Sequence, residues 1–241
     1  MIKRGIVVIY TKSELRELCK PPGEGKAYYR PFICKGDINN IQIFLVGINP
    51  ATPIYPSDMG LDEYLDKILD YDAFLNFYKD NRRKHGKPEL SRTREAINSF
   101  VNWLGTKTQV SVAETNIIPY LTVDLKHLNH EDNYIKDRGR TLFLSLFNRF
   151  QPSLIITHGK VTVKEILNLF NTNNFIINKE ASEYLLDMDY LNTDSIHCIT
   201  FPDGKNCSII SFRHFRFYGA NGEKSEEFRR VVERVIKMLN L

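Results

Sequence analysis

The feature that most constrains the fold is a set of short apolar, β-rich runs separated by helical patterns. The runs are 42–47 (QIFLVG), 110–118 (VSVAETNII), 153–157 (SLIIT), 196–200 (IHCIT) and 207–212 (CSIISF). Each is bounded by Gly, Pro, Asn or Asp, as expected of buried strands. Between them, Ile97, Phe100, Val101 and Leu104 recur at helical spacing within 94–104, and Leu142, Leu146, Phe147 and Phe150 do so within 138–150. Near the C-terminus, SEEFRRVVERVIKMLNL puts Phe228, Val231, Val232, Val235, Ile236 and Leu239 on one face, behind Ser225 as N-cap. Strands alternating with helices predict an α/β protein: a three-layer sandwich with a central, mostly parallel twisted sheet flanked by helices. No repeat or low-complexity linker interrupts the pattern, so 1–241 reads as a single domain.

Composition narrows the function classes. No apolar run approaches the roughly 20 residues of a membrane span, so no membrane partner is expected. The N-terminal stretch turns charged without a small-residue cleavage site, which argues against a signal peptide. Cys19, Cys34, Cys198 and Cys207 form no Cys-x-x-Cys pair, so reduced, buried thiols in a cytoplasmic protein are expected rather than a zinc ribbon or an iron–sulfur cluster. The net charge is +4, but residues 79–94 (KDNRRKHGKPELSRTR) hold seven Lys/Arg against two acids, or +5, leaving −1 for the rest. A basic segment on a nearly neutral body suits an anionic partner, phosphate or nucleic acid, and equally a solvated loop.

In a parallel α/β sheet, ligands bind beyond the carboxyl ends of the strands. Beyond the first run stand Gly47, Asn49 and Pro50, and at the second Asn116 and Pro119. Beyond the third come His158, Gly159 and Lys160, opening a helix, and beyond the last Arg213, His214, Phe215 and Arg216. Polar and basic residues gather where a site should be. Each also has a plainer reading: Asn-Pro favours turns, Asn116 suits a satisfied core amide, His214 suits a basic surface loop, and His158 suits a helix cap as well as a phosphate contact. Tyr28, Tyr29 and Arg30 are within reach of a nucleic acid, though a packed N-terminal hairpin accounts for them better.

These residues resemble the uracil-DNA glycosylase superfamily. LVGINPAT (45–52) is similar to its first motif, in the Gly-Ile-Asn-Pro form of the mismatch-specific uracil/thymine-DNA glycosylases. ETNIIPYLTVD (114–124) resembles the second strand, PSLIITHGKVTVKEIL (152–167) the strand and helix that follow, and SFRHFRFYGANG (211–222) stands in the place of the last, His-containing motif, in degenerate form. The resemblance covers 41–235 in order and implies a single glycosylase-like domain with an N-terminal extension, 1–40, and an insertion or lid, 53–92.

The resemblance implies a monofunctional, cofactor-free and metal-free enzyme, monomeric, that flips a nucleotide out of DNA and hydrolyses its N-glycosidic bond, leaving an abasic site. Asn49 and His214 would be catalytic, orienting water and hydrogen-bonding the departing base. Gly47, Ile48, Pro50, Ala51 and Asn116 would hold the base, with Asn116 offering a donor and an acceptor to a pyrimidine edge. His158, Lys160, Arg213, Arg216, Arg92 and Arg94 would contact DNA, and Phe215 or Phe217 would fill the vacated stack.

Three departures bear on substrate. Asn49 stands where the strongest uracil enzymes carry an acid, which implies slower water activation; Asp58 and Asp124 lie in neighbouring segments as alternative carboxylates. Ala51 stands where the classical enzymes carry a pocket-narrowing tyrosine, leaving room beside C5 of a pyrimidine. The 53–92 insertion is larger than in compact relatives. Together these favour a bulkier modified base, such as those of phage DNA in antiviral defence, with uracil repair as the other setting. The competing expectations are a catalytically inactive nucleic-acid-binding module of the same fold and an unrelated α/β hydrolase, which lacks a Gly-rich phosphate loop or a Gly-x-Ser-x-Gly elbow here.

Overall fold

The computed structural model of the chain describes residues 10–178, 197–218 and 225–241. Position 196 of the fourth β-rich run and positions 219–222 of the last motif lie outside the described residues. The protein is α/β. A seven-stranded mixed sheet has the order β1-β3-β2-β4-β7-β6-β5. The strands are β1 (Phe32–Lys35), β2 (Ile41–Gly47), β3 (Ser111–Asn116), β4 (Leu154–His158), β5 (Ile176–Ile177), β6 (His197–Thr200) and β7 (Asn206–Phe212). The central four, β3, β2, β4 and β7, run parallel. β1 joins β3 antiparallel, and β6 and β5 continue antiparallel from β7.

The helices are α1 (Lys12–Cys19), α2 (Leu61–Ile68), α3 (Tyr71–Lys84), α4 (Arg92–Leu104), α5 (Leu125–His130), α6 (Asn133–Phe150), α7 (Lys160–Thr172) and α8 (Glu226–Leu239). They flank the sheet. The central strands are apolar on both faces because helices cover both: Ile43, Phe44, Leu45 and Val46 are all buried. α8 buries Phe228, Val232, Val235 and Ile236, each such side chain contributing about 1.5–3 kcal/mol by leaving water. Ser225 does precede α8, but its side chain makes no capping bond.

One expectation needs correction. Tyr28, Tyr29 and Arg30 are packed, but among the described residues β1, just beyond them, pairs with β3 as the edge of the main sheet and forms no hairpin. Within 53–92, Tyr78 and Ser91 line the cavity described below. α2 and α3 pack on β1, burying Tyr64, Leu65, Ile68, Tyr71, Phe74 and Tyr78, because one face of each helix is too apolar to leave in water.

The topology fixes where a ligand can enter. β2 connects to β3 on one side and is followed by β4 on its other side, so the strand order reverses at β2 and a crevice opens beyond its carboxyl end. Register places Gly47 beside Asn116, Val46 beside Thr157, and His158 beside Phe212. The four parallel strands therefore deliver their C-terminal residues to one place.

Candidate active site

That place is a cavity of about 830 Å³. Its floor is built around Gly47. A Cβ there would lie 2.7 Å from Asn116 Oδ1 and 3.0 Å from His158 Nε2. An approach under 3.0 Å is not tolerated, so the absent side chain is what lets the two polar side chains meet across β2.

Asn116 and His158 are both buried. Among the described residues, the Asn116 amide forms no side-chain hydrogen bond, and His158 Nδ1 is buried without a partner. Asn116 thus turns its amide to the cavity, with no side-chain partner among the described residues. His158 is a floor residue and neither a cap nor an exposed phosphate contact. Burial first, and the facing His214 second, push its imidazole down to about 3, so it is neutral at pH 7.

Beyond β2 the chain stays tied to the segment after β3. Ile48 O accepts from Ile118 N (2.9 Å), Pro50 O accepts from Thr122 N (3.3 Å), and Ala51 bridges Thr122 in parallel. This pairing brings Asn49 against Thr122. The Thr122 hydroxyl donates its one proton to Asp124 O (2.9 Å), so it can only accept from Asn49 Nδ2 (2.8 Å). The amide nitrogen is thereby committed, and the carbonyl oxygen is the atom left for a water or a ligand. Thr52, next along, has a φ of +73°, a left-handed backbone that a β-branched residue adopts at a cost of about 1–3 kcal/mol.

His214 closes the opposite side, its ring centroid 5.1 Å from that of His158. Its Nδ1 accepts from Arg216 N at 3.3 Å, which makes Nε2–H the donor in the neutral ring. Burial, then the charge of Arg216, lower its affinity for protons. Lys160, Arg213 and Arg216 are exposed along the mouth. Val123, Leu125, Val161 and Phe217 are exposed there too, an apolar rim between the cations.

Two assignments made from sequence, Phe215 and Arg94, are corrected by burial. Phe215 is 2% exposed, its ring packed against His158 and Phe100 at 5.0 and 5.4 Å, so it belongs to the core. Phe217, two residues on, is 57% exposed and carries the Arg216 guanidinium 4.7 Å above its ring. Arg94 is not a DNA contact. It is buried in the cavity wall and bound to both carboxylate oxygens of Glu114 at 2.5 and 2.6 Å. Burial acts to raise the Glu114 carboxyl, and Arg94 more than offsets it, so the carboxylate is held ionised. Arg92 is exposed but does not line the cavity. Of the two alternative carboxylates, Asp124 lines the cavity and accepts from His127 N and Nδ1, whereas Asp58 is exposed elsewhere and accepts from Tyr55 N.

The wall also holds Arg30, 4% exposed, whose guanidinium lies 5.0 Å over the Phe74 ring. From sequence, Arg30 stood only as a residue within reach of a nucleic acid and better explained by packing, and Glu114 was not singled out. Glu114 had a legible signal, a lone acid within an apolar strand, which demands a buried partner. Cys19, Cys34 and Cys207 are buried, with burial pushing the Cys34 thiol up to about 12. No described helix is long and apolar enough to cross a membrane. Compared with family models and with curated proteins, the chain matches neither.

Proposed function

We propose that this chain is a monofunctional DNA glycosylase of uracil-DNA glycosylase-like fold, acting on a pyrimidine bulkier than uracil. The observation that carries the reading is the convergence of Asn49, Asn116 and His214 on one cavity, with the Asn49 oxygen and the Asn116 amide both uncommitted. A glycosidic bond inside a duplex is out of reach, so the nucleotide is flipped into the pocket. Asn116 reads the pyrimidine edge with its donor and acceptor. The Asn49 oxygen orients the attacking water toward the sugar carbon as positive charge develops there. His214, donating from Nε2, stabilises the negative charge growing on the departing base. Because it is neutral, it does so at pH 7 without first taking up a proton.

Lys160, Arg213 and Arg216 hold phosphates, and Phe217 takes the wedge role. The volume of the cavity and the small Ala51 leave room beside a pyrimidine, which favours a modified base, of the kind met in phage DNA, over strict uracil specificity. The neutral Asn49 favours the second reading, a binding module that flips and holds a base without cleaving it. An abasic-site assay tests the proposal. DNAs containing uracil, mismatched thymine, 5-hydroxymethyluracil or glucosylated cytosine are incubated with the protein and cleaved with alkali. Cleavage at one of these positions is expected. Intact DNA in every case, with DNA still bound, would establish the binding module.

A further inference from the structure

The wall of the cavity carries a buried cation that has no hydrogen-bonded partner of its own among the described residues and only shares the Glu114 carboxylate at a distance. Arg30 is buried and lines the cavity, and within that set its guanidinium forms no hydrogen bond and no ion pair. The one acid in that wall, Glu114, has both oxygens taken by Arg94. Two buried cations thus face one buried anion. Arginine cannot escape by releasing its proton. Its position is fixed: the Arg30 backbone N–H donates to Pro119 O at 2.7 Å, and the guanidinium rests on Phe74.

The wall is in line with the base-reading residue. Glu114 and Asn116 are two apart on β3, so their side chains leave the same face of the sheet, roughly 7 Å apart along the strand. Asn116, Arg30 and Arg94 line the same cavity, so one ligand there can meet both the amide and the guanidinium pair.

We infer that Arg30 forms an anion subsite and that the base accepted by this cavity carries a negatively charged substituent, in the simplest case a carboxylate. That the ligand is a base rests on the glycosylase reading; the subsite rests on Arg30. A carboxylate matches the fork of a guanidinium in two parallel hydrogen bonds, which a neutral hydroxymethyl group does not.

The test is isothermal titration of the intact protein with two free bases, 5-carboxyuracil and 5-hydroxymethyluracil, and with inorganic phosphate. The acid is expected to bind about tenfold or more tighter than the alcohol. Arg30→Met, with folding checked by circular dichroism, is expected to bring the two within about twofold. Equal affinity of the wild type for the two bases overturns the subsite without need of a variant. Phosphate competing as strongly as 5-carboxyuracil overturns the base assignment and places a phosphate at Arg30. Excision from DNA is read separately. If the acid binds tighter but neither base is released, the subsite stands and the glycosylase reading falls. If the protein releases both bases from DNA equally well and binds them equally, the reverse holds.

Discussion

Removing Glu114 and removing Arg30 should have opposite effects on stability. Glu114→Gln leaves Arg94 and Arg30 buried in one wall without an anion. Breaking a buried pair from one side costs about 3–5 kcal/mol. Arg30→Met removes a charge that only shares the Glu114 carboxylate and keeps an apolar stem on Phe74. The cation–π interaction that Met gives up is worth about 2 kcal/mol at most. The desolvation penalty lifted is several kcal/mol, so the variant should equal or exceed the wild type. Urea unfolding followed by tryptophan fluorescence reads both, since Trp103 is the single tryptophan. At a slope of about 3 kcal/mol per molar, Glu114→Gln should lower the midpoint by about 1 to 1.7 M, with Arg30→Met unchanged or higher. Should Arg30→Met fall as far as Glu114→Gln, Arg30 is a structural member of the pair.

The remaining predictions concern pH and substrate. His158 has a folded pKa near 3 against an ordinary value of 6.5. The unfolded chain therefore binds the extra proton, and stability is present above pH 6.5 and lost as pH falls toward 3. Unfolding free energies from urea titrations between pH 7.5 and 4 should fall with a slope approaching about 1.4 kcal/mol per pH unit from this group, with His214 adding in the same direction. His158→Gln should flatten that slope, and an unchanged profile would refute its neutral burial. Ala51→Tyr should narrow the substrate range toward uracil, and it fails if a bulky base still leaves at the wild-type rate. Phe217→Ala should weaken binding to duplex containing the target base by about 1–3 kcal/mol, the worth of one stacking interaction. Equal anisotropy titration curves for the two proteins would remove the wedge.

What the sequence disclosed follows from where its signals are local. The central parallel strands were legible because residues buried on both faces write an unbroken apolar run, as in Ile43 to Val46. The loops beyond them were legible for the same reason, since the ends of such runs are where the site residues stand. β1 was not legible: FICK is four residues long, and its place is set by pairing with β3, some eighty residues away. Phe215 and Phe217 look alike in sequence, and only the turn of Phe215–Phe217 decides which faces the core. The basic run at 79–94 suggested one electrostatic surface, but tertiary structure divides it. Arg94 lies on the same helical face as Ile97 and Val101 and is drawn into the wall, while Arg83 pairs with Asp80 and Glu89.

The most direct test of the proposed activity compares wild type with Asn49→Ala on DNA carrying the preferred base, measuring free base by mass spectrometry and DNA affinity in parallel. The wild type is expected to liberate the base and leave an abasic site. Asn49→Ala is expected to bind the same DNA within about threefold while base release drops by about a hundredfold or more, as when other groups that stabilise a transition state are removed. Base release that is unaffected by Asn49→Ala, or none from the wild type while both proteins bind alike, would contradict the proposal.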